Sequence, residues 1–135
     1  MTPATIATVQ DSFAQVAPIA DTAADLFYAH LFETHPDLRP MFPAEMAEQK
    51  AKLMKTLAFA VNSLSAPETL LPALADLGAR HVDYGVEPHH YDAVGASLIH
   101  TLQQGLGPAF TEEVKSAWLE TYGAIASTMQ GSAHG

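Results

Sequence analysis

The sequence predicts an all-α fold: a single domain of six to seven helices, five of them long. Three observations predict it. Apolar residues recur at spacings of three and four along nearly the whole chain, no segment alternates with the period of a strand, and the prolines fall where helices start or stop. A chain of 135 residues with 48% hydrophobic and 16% charged residues can bury one core, so residues 1–135 are expected to form one domain.

Thr2-Pro3 starts the first helix, offering a capping hydroxyl and a proline in the first turn; Ile6, Val9, Phe13 and Val16 form its inner face until Pro18. The second helix covers roughly 19–34, with Ala20, Ala24, Phe27 and Leu31 in one stripe and Tyr28 beside it, and stops near His35 because Pro36 follows. Pro36, Pro40 and Pro43 permit only a short turn and a corner that holds Met41 and Phe42. A long helix is predicted over about 44–64, with Gln49, Leu53, Leu57, Ala60 and Leu64 in line. The next sets Leu70, Leu74, Leu77 and His81 in one stripe, admits Pro72 early and ends around Tyr84-Gly85. Pro88 opens a helix with Tyr91, Val94, Leu98 and Leu102 on one face, closed by Gly105 and Gly107. Thr111 caps the last helix, Glu112 and Glu113 suit its positive end, and Val114, Trp118, Tyr122, Ile125 and Met129 line its inner face; residues 131–135 are expected to fray.

Composition narrows the function. Fifteen acidic against six basic residues give a net charge of −9, which argues against nucleic acid and anionic lipid as partners. The absence of cysteine excludes disulfides, thiolate nucleophiles, Fe–S clusters and thiolate-bound metal. No Lys or Arg precedes Arg39, and the longest uncharged run is broken by Gly105, Gly107 and Pro108, so neither a targeting segment nor a membrane span is expected and a cytoplasmic location follows.

Chemistry then rests on a few inward polar residues. His81 ends an apolar stripe, where a buried imidazole needs a partner: either a carbonyl of the preceding turn or a metal or haem. The other six histidines offer no pair on one helical face, and His89 and His90, being neighbours, are expected to diverge, so a multi-histidine metal site is not expected. Tyr28 is either a boundary tyrosine or a buried hydroxyl in need of a partner. Gln49 is either a surface residue of a first turn or an inward amide on the line of Leu53. Phe42 and Tyr91 read equally as core aromatics or as walls of a site.

The runs Leu26 to Phe32, His35 to Phe42, Glu48 to Met54 and Arg80 to Val86, followed by Tyr91, Val94-Gly95, Ala117-Trp118 and Tyr122-Gly123, together resemble bacterial single-domain globins and the haem domain of flavohaemoglobins. The resemblance implies a globin fold around a haem b pocket, with His81 as the proximal iron ligand, the role that one histidine fills in globins. It implies Phe42 packed on the porphyrin, Tyr28 and Gln49 as distal hydrogen-bond donors to O2, Leu53 and Leu57 as the dry wall beside them, and Tyr91 as the proximal hydrogen-bonding residue. Lys52 and Arg80 are the candidates to meet the haem propionates.

The flavohaemoglobin glutamate of the proximal network is missing, its ungapped match falling at Ala133, and these residues hold no flavin or nicotinamide module. The resemblance therefore implies a globin that binds O2, NO or CO and supports nitric oxide dioxygenation with electrons from a separate reductase. The alternatives are an O2 carrier, store or sensor without turnover and, in a different class, a haem-free helical interaction module; monomer and homodimer both fit.

Overall fold

In a computed structural model, which describes residues 2–83 and 86–134 with backbone alone at 82, 83, 88 and 131–134, the chain forms six α-helices and three short 3₁₀ turns and no strand among the described residues. The helices are α1 (Pro3–Val16), α2 (Ala20–Thr34), α3 (Ala47–Asn62), α4 (Pro67–Asp83), α5 (Pro88–Leu106) and α6 (Glu112–His134). The expected end of α4 at Tyr84-Gly85 lies outside the described residues.

Local chemistry sets most of the ends. Thr2 Oγ1 accepts from Thr5 N–H at 3.1 Å with Pro3 in the first turn, and Thr111 Oγ1 accepts from Val114 N–H at 3.2 Å. Gly107, at φ 53°, supplies the left-handed residue that closes α5.

Two boundaries differ from expectation. α3 begins at Ala47 and ends at Asn62 instead of spanning 44–64. At its start the Arg39 guanidinium donates to the carbonyls of Phe42, Pro43 and Ala44, at 3.2, 3.0 and 3.2 Å, and so holds the segment in a corner in place of a helical turn. α6 runs from Glu112 to His134.

The core forms where α1, α2, α4, α5 and α6 meet. Trp118, 1% exposed, packs beside Phe13, and its Nε1 donates to Ser12 Oγ at 2.8 Å, which satisfies the indole while joining α6 to α1. Gln10 Nε2 donates to the Val61 carbonyl at 3.0 Å, which also accepts from Leu64 N–H at 3.3 Å, and so ties α1 to the end of α3. α4 lies close against α6 because Gly78 has no side chain: a Cβ there would run into the backbone carbonyl of Met129.

This packing positions the site. α3 packs on α1 and α2, α4 packs on α6, and α5 packs on α2 and α6. Although α3 and α4 are consecutive, their backbones hardly approach each other among the described residues. Leu53 and Leu57 on α3 and Leu77 on α4 pack against the core yet stay half-buried.

Candidate functional site

α2 and α3 bring two polar side chains together. Tyr28 is 4% exposed, enclosed by Phe27, Phe32 and Phe42 at ring-centroid distances of 5.0, 5.7 and 5.6 Å. The amide Nε2 of Gln49 donates to the Tyr28 hydroxyl oxygen at 3.2 Å. Tyr28 is thus the buried hydroxyl with a partner, and Gln49 is the inward amide. Because the phenol oxygen accepts from Gln49, its own O–H is directed elsewhere, and an accepted bond polarises that O–H into a better donor. Burial pushes the Tyr28 phenol up, with the Gln49 bond pulling the other way, so it stays protonated near neutral pH.

The corner after α2 fixes the aromatic wall. Phe42 sits edge-on to Phe32 at 5.3 Å, and the Arg39 guanidinium lies 5.2 Å over the Phe32 ring. Phe32 and Arg39 were not singled out in the sequence. A lone basic residue between Pro36 and Pro40 was the available signal, since three prolines leave carbonyls that need a donor. Next to Gln49, Lys50 Nζ meets Asp25 Oδ1 at 2.9 Å and ties α3 to α2.

On α4 and α5, His81 Nδ1 lies 2.7 Å from the Leu77 carbonyl. That contact requires the proton on Nδ1, which puts the lone pair on Nε2, the form in which an imidazole binds a metal. The Tyr91 ring lies alongside, its centroid 6.4 Å from that of His81 and the planes 30° apart. Burial raises the Tyr91 phenol as well. The Tyr91 backbone is held in turn: its carbonyl accepts from the Tyr122 hydroxyl at 2.7 Å. Burial, with Tyr91 and Asp92 adding to it, keeps Tyr122 protonated and hence a donor. An open groove of about 530 Å³ lies between α5 and α6, lined by Tyr91, Tyr122 and Ser127 among others; Tyr28, Gln49 and His81 are not part of it.

The two candidate propionate partners are exposed. Arg80 Nη2 pairs with Asp76 at 2.7 Å, and Lys52 Nζ lies 4.0 Å from Glu48. One expectation is overturned: His89 and His90 do not diverge. Their rings lie 4.2 Å apart, edge to face, and with Glu87 they bring one ligand atom each to within 4.8 Å of the others; His90 Nδ1 reaches back to accept the Glu87 N–H at 2.9 Å across the first turn of α5.

The globin family profile matches residues 25–129, from within α2 to within α6. The chain belongs to the globin family. It is 36% identical to a flavohemoprotein of Rhizobium meliloti over 109 residues, covering 78% of this chain and 27% of that one. It is 34% identical to the Chromobacterium violaceum flavohemoprotein over 113 residues, covering 81% and 28%. This globin chain therefore spans under a third of the length of these curated relatives.

Among solved structures, a bacterial globin from Campylobacter jejuni aligns with a TM-score of 0.86 at 26% identity, covering 98% of this chain and 96% of the other. An engineered carbene transferase made from a Rhodothermus marinus protein, named as a candidate nitric oxide dioxygenase, aligns at 0.88 with 26% identity, covering 98% and 93%. Globins bind haem, and the residues here fit one. The half-buried leucines of α3 and α4 supply apolar faces that do not close on each other, and His81 supplies a nitrogen donor of the right tautomer.

Proposed function

We propose that this globin binds haem b and O2 and, with electrons from a separate reductase, converts nitric oxide and O2 to nitrate. A bound haem supplies the iron at which the gas binds and the redox chemistry. His81 would hold that iron through Nε2, and Phe42, Leu53 and Leu57 would line the porphyrin. Arg80 and Lys52 are free to turn to the propionates, because exposed pairs such as Arg80–Asp76 are worth at most about 1 kcal/mol.

The observation that carries the reading is the hydrogen bond from Gln49 to Tyr28. It leaves a polarised phenol O–H inside an aromatic enclosure, suited to a diatomic ligand that gathers negative charge, as O2 does and CO hardly does. Leu53 and Leu57 exclude water, which strengthens that bond. A firmly held O2 favours reaction in place over ready release. The balance is NO plus O2 plus one electron giving nitrate, so each turnover needs one electron from the reductase.

Mixing NO with the reduced, haem-loaded, O2-saturated protein and assaying nitrate tests this. The expected result is one fast equivalent of nitrate, with further turnover only when a reductase is added. NO retained on the protein with little nitrate supports the carrier or sensor reading, and a protein that takes up no haem on reconstitution supports the interaction module.

A further inference from the structure

The convergence of Glu87, His89 and His90 at the start of α5 has no role in the reading above. We propose that these three side chains form a site for a divalent first-row transition cation such as Zn²⁺ or Cu²⁺. Each offers one ligand atom, and all three atoms lie within 4.8 Å of one another. Ligands bound at 2.0–2.2 Å from one ion stand about 3–4 Å apart, so small side-chain rotations suffice to close the set. Two imidazoles with one carboxylate suit zinc and copper, whereas magnesium and calcium take oxygen ligands. Glu87 and His89 are each 66% exposed, and the Glu87 carboxylate already lies 3.8 Å from His89 Nδ1, so an ion has access and water can complete its coordination.

Two features oppose binding. His90 Nδ1 accepts the Glu87 backbone N–H at 2.9 Å, and that bond must be given up, or the ring turned, for His90 to coordinate. The N-terminus of α5 also carries partial positive charge, which the Glu87 carboxylate counters. The Glu87 side chain also accepts from the His90 backbone N–H to complete a capping box, and these two capping bonds are a small cost against two imidazole–metal bonds and a carboxylate. The site is joined to the rest of the molecule through the backbone: Val86 N–H, immediately before Glu87, donates to the His81 carbonyl at 2.9 Å.

The test is calorimetric titration of the purified, untagged chain of residues 1–135 with ZnCl₂ at neutral pH, repeated in excess Mg²⁺. One saturable equivalent is expected, unaffected by Mg²⁺. His89→Ala and Glu87→Gln, neither of which alters the His90 cap bond, are each expected to weaken it at least about tenfold, while His30→Ala and His100→Ala leave it unchanged. Circular dichroism confirms that each variant is folded. Absence of saturable binding, unchanged affinity in folded His89→Ala, equal competition by Mg²⁺, or loss of the site in the His30 or His100 variants would each overturn the proposal. None of these readouts depends on haem, so the result stands apart from the assignment of His81.

Discussion

Replacing Tyr28 by Phe removes one hydroxyl from an enclosure that is otherwise unchanged, since the ring keeps its contacts with Phe27, Phe32 and Phe42. Two hydrogen bonds are lost: the one the hydroxyl accepts from Gln49 at 3.2 Å and the one it is proposed to donate to O2. A bond to a ligand carrying charge is worth about 1.5–3 kcal/mol. Against this, the released Gln49 amide can turn to the ligand and recover about 1 kcal/mol. The net loss is therefore about 0.5–2 kcal/mol, or roughly two- to thirtyfold faster O2 release.

In Tyr28→Phe/Gln49→Leu the recovery is impossible, and release should be about 10- to 150-fold faster than in the parent. Stopped-flow displacement of O2 and of CO measures both. CO release should change little, because bound CO is much less polar. Equal acceleration of both gases would show that Tyr28 only shapes the pocket. A double variant no faster than Tyr28→Phe would show that Gln49 does not take over from the phenol.

Three further outcomes are expected. His81→Ala should lose stable haem retention, or retain haem only with added imidazole, read from the absorption spectrum of the reconstituted protein; an unaltered spectrum and affinity would remove His81 from the iron. Gly78→Ala should destabilise the fold by about 1–3 kcal/mol, because the new methyl meets the Met129 carbonyl, a backbone group that moves only with α6; an unchanged thermal midpoint would show that the crossing is loose. The His30 imidazole is held below its usual range by burial and then by His100, with His35 acting the same way and Glu33 against them. Its folded pKa is thus below its unfolded one, so the unfolded chain binds more protons as pH falls, and stability is lost on acidification from about pH 6.5. His30→Gln should flatten the urea midpoint against pH in that range, and a slope unchanged by the substitution would contradict the assignment.

The sequence by itself determined the helical architecture, because the signals are local. Thr2-Pro3, Thr111 and Gly107 set helix ends through bonds within a turn, and the three–four spacing of Val9, Phe13 and Val16, or of Leu70 and Leu74, places residues in the core wherever the neighbours lie. It also brought Tyr28, Gln49 and His81 forward, since a polar residue on an apolar line must find a partner. Which partner each finds was not legible. Tyr28 could have reached solvent, and only the crossing of α2 on α3 sets its oxygen against Gln49, twenty-one positions along the chain.

The start of α3 was misplaced for the same reason: helix propensity is local, but the three carbonyls that Arg39 holds bend the corner through side-chain geometry that spacing does not encode. Likewise, the divergence expected of adjacent His89 and His90 is a rule for two residues inside a regular helix. Here both lie in the first turn of α5, where the capping bond from Glu87 N–H to His90 Nδ1 draws the His90 ring back over the helix start and the three ligand atoms together, a local contact that spacing does not encode.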